Sequence, residues 1–227
     1  GREMALTGGK IQLQSEGAEV FYRKIEVRPI DEIPANLLTN VPKSAPDEKG
    51  FGALFGKDTQ DGWTQCGPGH FTLENGVATA HDGMGLWWHT NRTFTNFVMR
   101  GEFLQEQEIA DSGVFVRFPN PGNDPWLAVK QGHEMEIGDP NPEQPTWRTG
   151  SIYPFKSSTK ANTRPPRHWN EFEIVGIGHN YSTRLNGELV ATWTDSKQRS
   201  LSGHIGLQNY NDGKTVRFRN LRIKELP

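Results

Sequence analysis

The sequence predicts an all-β fold, a sandwich of two curved antiparallel sheets, and three observations carry that reading. Short runs of alternating apolar and polar residues recur through residues 50–227, each stopped by Gly, Pro or Asn. Two of the stops are Asn-Gly pairs, Asn75-Gly76 and Asn186-Gly187, the strongest local hairpin signal. No long segment shows a helical period. Composition agrees: 25 Gly and 15 Pro make a turn-rich chain, and with only 33% hydrophobic residues the 7 Trp and 12 Phe must supply much of the core.

Taken in order, residues 9–28 read as a hairpin, alternating on either side of Ser15-Glu16-Gly17. The same design closes the chain. Gly9, Ile11, Leu13 and Gln14 align with Gly203, Ile205, Leu207 and Gln208. Val20, Tyr22, Arg23, Ile25 and Val27 align with Val216, Phe218, Arg219, Leu221 and Ile223. Residues 1–30 are therefore expected to be the last hairpin of a preceding homologous domain. A lone hairpin is marginal in water, so it docks on the main domain, docks on a tandem domain or a second copy, or is mobile. Residues 31–49, with Pro34, Pro42 and Pro46, read as an extended linker, with a short helical turn near residues 32–38 as an option.

The main domain, residues 50–227, opens with a short strand at 51–55. Strands follow at 71–74 and 77–80, around the first Asn-Gly turn, then at 86–89, 97–104 and 112–118. A Pro/Gly/Asn loop over 119–125 ends at Trp126 and leads into an acidic strand. The Pro-rich stretch 139–168 is longer than a filler loop usually is, which points to function. Strands at 169–177, 181–185 and 189–193 precede the closing hairpin.

The acidic strand, Gly132-His133-Glu134-Met135-Glu136-Ile137-Gly138-Asp139, carries the functional signal. Period-two alternation sends Met135 and Ile137 to the core and Glu134 and Glu136 to the opposite face. Paired carboxylates beside a histidine are costly unless water, a metal or a polar ligand meets them. A merely solvated strand face is the plain alternative. Gly138 marks a bulge or strand end that decides where Asp139 points. With a net charge of −2 no strong electrostatic field argues for nucleic acid or an anionic membrane as partner, no nucleic acid is expected, and no apolar run is long enough for a membrane span. The lone Cys66 permits no intrachain disulfide and reads as a packed or surface thiol.

An ordered set of motifs over residues 50–227 resembles a bacterial family, domain of unknown function 1080, the 3-keto-disaccharide hydrolase domain. The set comprises Gly50-Phe51, Leu54-Phe55-Gly56-Lys57-Asp58 and Gly62-Trp63, then Ser112-Gly113-Val114-Phe115-Val116-Arg117 and Gly132-His133-Glu134-Met135-Glu136. It continues through Thr149-Gly150-Ser151-Ile152-Tyr153, Trp169 to Ile174, Leu185-Asn186-Gly187, and Gly203 to Gln208 with Phe218 to Lys224. The family usually has Tyr where His133 stands and Gln where Glu136 stands. The resemblance implies a concanavalin-like jelly roll, action on glycosides oxidised at sugar carbon 3, and a secreted or periplasmic bacterial location. No signal peptide is visible in the chain.

Such chemistry needs a base for the proton at carbon 2, a stabiliser for the enolate and an acid for the leaving oxygen. Glu134 is the candidate base, His133 the candidate for proton transfer and Arg117 the candidate oxyanion clamp. Trp88, Trp126, Tyr153, Glu136 and Gln208 are candidate substrate-binding residues, with Trp87 and Trp147 among the aromatics near the acidic strand. Trp63, Trp169 and Trp193 are assigned to the core. A divalent metal is a candidate cofactor, with His133, Glu134 and Glu136 as ligands. Two rival readings stand beside this one. In the first, Glu134, Glu136 and Asp139 act as in retaining glucanases, which carry a related Glu-x-Asp-x-x-Glu pattern. In the second, the aromatic platform serves a non-catalytic glycan-binding module.

Overall fold

The structure, a computed structural model, describes residues 48–108, 110–138, 142–210 and 213–227. The hairpin expected at 9–28, nearly all of the linker, and Asp139 lie outside the described residues.

The described chain forms fourteen strands and one short α-helix. In order the strands are β1 (Gly52–Ala53), β2 (Trp63–Cys66), β3 (His70–Glu74), β4 (Val77–His81), β5 (Gly85–His89), β6 (Phe97–Gln105) and β7 (Ser112–Phe118). After the helix α1 (Trp126–Gln131) come β8 (His133–Ile137), β9 (Ile152–Tyr153), β10 (Asn170–Ile177), β11 (Asn180–Leu185), β12 (Glu188–Thr194), β13 (His204–Asn209) and β14 (Val216–Glu225). One sheet has the order β12-β11-β10-β6-β14-β4-β3, with β1 also paired to β14, and the other runs β2-β5-β13-β7-β8-β9. The strand pairings among the described residues are antiparallel, as an alternating, turn-rich sequence requires. Both Asn-Gly turns form as expected. Asn75 and Gly76 take φ of 52° and 78°, Asn186 and Gly187 49° and 82°, and positive φ at both central positions matches the strand twist.

Between the sheets lies one apolar layer. Phe97, Met99 and Phe103 of β6 and Phe172 and Ile174 of β10 meet Val114 and Val116 of β7 and Met135 and Ile137 of β8. Each such side chain contributes about 1.5–3 kcal/mol. Trp87 belongs to this layer, which removes it from any sugar-facing role. Trp63 is also buried there, and Trp193 packs against the layer. Trp169, by contrast, is only half-buried, with the Arg219 guanidinium 4.0 Å over its ring.

A second, smaller cluster covers part of the other face of the six-stranded sheet: Cys66, Leu86, Trp88, Phe115 and Phe118, with Ala128 of α1 over them. This helix has no counterpart in the sequence reading, because six residues behind Pro125 are too few to display a period. It roofs part of the face and leaves the β8 end of it to the functional residues.

β7 carries the irregularity that matters most. Its register with β13 slips between His204↔Phe118 and Ile205↔Val116, which leaves Arg117 as the extra residue of a bulge at φ 55°. Gly203 permits the bulge, since a Cβ there would lie 2.5 Å from the Arg117 carbonyl carbon.

Candidate functional site

Cross-strand register assembles the site row by row. Residues paired directly across neighbouring antiparallel strands share a face. One row therefore runs Thr64, Trp88, Gly206, Phe115, Glu134, Tyr153. Two residues along, Cys66, Leu86 and Gln208 lie in line with Gly113 and Glu136. Glu134, Glu136, Tyr153, Gln208 and Trp88 thus occupy one face, away from the core.

Glu134 lies across Gly113: an ideal Cβ on that glycine would be 2.0 Å from Glu134 Oε1. Only a residue without a side chain leaves that space. Glu136 is held by its own backbone, with its N–H donating to Ser151 O at 3.0 Å and its carbonyl accepting from Gly150 N at 2.8 Å. The chain after β8 is locked in turn by Thr149, whose hydroxyl accepts from Gly138 N at 3.1 Å and donates to Gly138 O at 3.0 Å. The 139–168 segment so returns to the edge of β8 and delivers Tyr153 opposite Glu134.

Both carboxyls are buried, Glu134 at 4% and Glu136 at 6% exposure. Burial pushes the Glu134 carboxyl well above the usual range, and the Asp111 charge adds to this. Burial, then Glu134, then Asp111 raise Glu136 in the same way. Two neighbouring desolvated carboxyls do not both ionise easily, so both are pushed toward the protonated form. Tyr153 is kept neutral by burial and by the Glu134 and Glu136 charges, against the opposing effect of a hydrogen bond from the Trp147 indole. Glu134 Oε1 and Gln208 Oε1 are buried without a protein hydrogen-bond partner. Each unpaired group costs about 1–3 kcal/mol, and two on one face mark a place for a polar ligand. At the rim Trp126 and Tyr210 stay 42% and 45% exposed, edge to face at 5.8 Å.

Two of the residues nominated from sequence are elsewhere. His133 shares the parity of Met135 and Ile137, so it points between the sheets, where its Nε2 donates to Asp195 Oδ2 at 3.1 Å. It stacks on Tyr181 at 4.0 Å. Burial lowers it from 6.5 to about 4, so it is a neutral imidazole, and this is a hydrogen bond rather than an ion pair. Burial alone would raise Asp195, but N–H donors from Arg199, His133 and Lys197 outweigh it and keep the acid ionised. Arg117 is turned inward by the bulge. Its guanidinium donates to Thr95 O, to Gly178 O and, at 2.8 Å, to Tyr181 Oη. It joins the two sheets and does not reach the Glu134 face. His133 therefore cannot share an ion with Glu134 and Glu136. Among the described residues no three His, Cys, Asp or Glu side chains are disposed to hold a metal.

Trp88 is on the correct face but lies buried under α1 in the second apolar cluster, away from Glu134 by the width of β13 and β7. Sequence reasoning missed Asp111, Gly113 and Tyr210. A glycine inside a strand was the available signal for Gly113. Asp111 and Tyr210 face each other in an isolated bridge just beyond the ends of β7 and β13, where strand alternation gives no signal.

A family model described as the 3-keto-alpha-glucoside-1,2-lyase-like domain matches residues 50–224. No curated protein matches the chain by sequence. Among solved structures, a protein of Parabacteroides distasonis ATCC 8503 provisionally assigned as a glycosyl hydrolase superposes with a TM-score of 0.68 at 19% identity, over 83% of this chain and 99% of its own. A further structure from that organism, with the same assignment, gives 0.62 at 22% identity, over 78% and 99%. The carbohydrate binding module CBM66 from Bacillus subtilis gives 0.52 at 15% identity, over 72% and 96%. These likenesses are of fold, and the fold is the jelly-roll sandwich that the sequence resemblance implied.

Proposed function

The chain belongs to the 3-keto-alpha-glucoside-1,2-lyase-like family, and on that premise we propose that the domain cleaves 3-keto-glycosides by elimination followed by hydration. The observation that carries this reading is the Glu134–Glu136 pair: two buried carboxyls on one face, both pushed toward protonation. One member can then act as base while the other still holds a proton, which is what the reaction asks of its catalyst.

A ketone at carbon 3 acidifies the hydrogen on carbon 2. Glu134, as carboxylate, takes that proton, and the electron pair moves into the enolate. The enolate collapses, carbon 1 and carbon 2 become doubly bonded, and the glycosidic oxygen leaves with the proton of Glu136. Water then adds at carbon 1, giving a proton to Glu136, and Glu134 returns its proton to carbon 2. Each carboxyl ends as it began, and the sum is hydrolysis without net oxidation or reduction. The long segment that brings Tyr153 to the edge of β8 and the exposed Trp126 and Tyr210 supply surface for sugar rings.

Glu134→Gln tests the reading, since it keeps the shape and removes the proton acceptor. Turnover of a 3-keto-glucoside is expected to fall about 10²–10⁴-fold with the fold intact. Undiminished turnover in the folded variant removes Glu134 from the mechanism. A binding module is the second reading, favoured by the exposed Trp126–Tyr210 pair alone. It prevails if the wild type binds glycans but turns over no keto-glycoside.

A further inference from the structure

The inward turn of Arg117 leaves the developing enolate without the clamp that the sequence suggested. We propose that the Tyr153 hydroxyl takes this role, donating a hydrogen bond to the substrate's carbon-3 oxygen as Glu134 removes the proton from carbon 2. The inference rests on the keto-glycoside reading and goes beyond it by assigning the enolate stabiliser.

Three observations support it. First, Tyr153 is the direct cross-strand partner of Glu134. Such partners hold their Cβ atoms about 4.5–5.5 Å apart on one face. The acidic hydrogen and the carbonyl oxygen sit on adjacent substrate carbons, so base and donor must be neighbours in just this way. Second, the phenol is neutral and retains its proton beside two carboxyls and under partial burial. Third, Glu134 Oε1 on the same face is buried with no hydrogen-bond partner, which marks the place where a polar group of the substrate would meet base and donor together. No proton leaves Tyr153 at any stage: carbon 2 gives its proton to Glu134, the electron pair goes to the carbon-3 oxygen, and the tyrosine supplies only a hydrogen bond.

Tyr153→Phe keeps the ring and deletes the donor. With a 3-keto-α-glucoside as substrate, kcat is expected to fall about 10²–10³-fold, the size of losing one oxyanion donor, while KM changes little. In deuterium oxide, incorporation of deuterium at carbon 2 should slow by the same factor, because enolate formation is the step affected. Thermal unfolding measured alongside establishes that the variant is folded. A folded Tyr153→Phe protein with wild-type kcat and wild-type exchange overturns the assignment and leaves the Glu134 mechanism standing. A loss confined to KM also overturns it, since that is binding alone. Wild-type protein that neither turns over the substrate nor exchanges its carbon-2 hydrogen overturns the keto-glycoside reading, and this assignment with it.

Discussion

Replacing Gly113 with Ala sets a methyl group where Glu134 already lies. The new Cβ would sit 2.0 Å from Glu134 Oε1, 2.8 Å from its Cδ and 2.9 Å from its Cγ. Ordinary contact begins at 3.4 Å, so Oε1 must retreat by at least 3.4 − 2.0 = 1.4 Å. The backbone does not object, because Gly113 is not in the left-handed region. Reacting groups tolerate about 0.5 Å of misplacement, and about 1 Å costs on the order of 10²-fold. We therefore expect kcat on a 3-keto-glucoside to drop about 100-fold. Stability should stay within about 1 kcal/mol, since the gain from Ala over Gly in a strand, about 0.5–1 kcal/mol, offsets the cost of moving Glu134. Gly52→Ala is the control: its Cβ would meet nothing nearer than Ile223 O at 4.0 Å. Steady-state kinetics and thermal unfolding on the three proteins decide the matter. Wild-type kcat in folded Gly113→Ala would refute the claim that the position of the Glu134 carboxyl governs the reaction.

Other outcomes follow from the same geometry. His133 titrates lower in the folded protein, about 4 against 6.5, so as pH falls through that window the unfolded chain takes up a proton that the folded one refuses. Stability therefore drops on acidification, by about 3 kcal/mol from this residue (2.5 pH units at about 1.36 kcal/mol each). Urea titrations of wild type and His133→Phe at pH 7 and pH 4 read it out, and a difference independent of pH argues against it. Glu134 and Glu136 act in the opposite sense: their folded values are raised, so their burial costs stability as pH rises through those values. Glu134→Gln should accordingly resist urea better than wild type at pH 9, and equal resistance would count against a strained carboxyl. Arg117→Met should lose about 3 kcal/mol, because it strips the donors from Thr95 O and Gly178 O. Its folded fraction should keep wild-type kcat, and a specific loss of kcat would return Arg117 to the site.

Much of this was legible in the sequence, and the division has a physical cause. Period-two alternation depends only on neighbouring residues, so the strands around Met135 and Ile137 and the face of Glu134 and Glu136 could be read directly. The Asn-Gly turns were readable for the same reason: positive φ at Asn75 and Asn186 is a local demand. Strict application of that alternation would also have placed His133 with Met135, inside the sandwich. Arg117 was different. Alternation assigns it to the Glu134 face, and only the slip of β7 against β13, with Gly203 making room, turns it inward. The convergence of Glu134 over Gly113, the return of Tyr153 to the edge of β8 and the bridge between Asp111 and Tyr210 join residues on different strands. Register, bulges and burial are set by partners distant in the chain. The sequence by itself therefore determined which residues alternate and where the chain turns, whereas only tertiary structure decided which side chains share a desolvated face and so which carboxyls are pushed toward protonation.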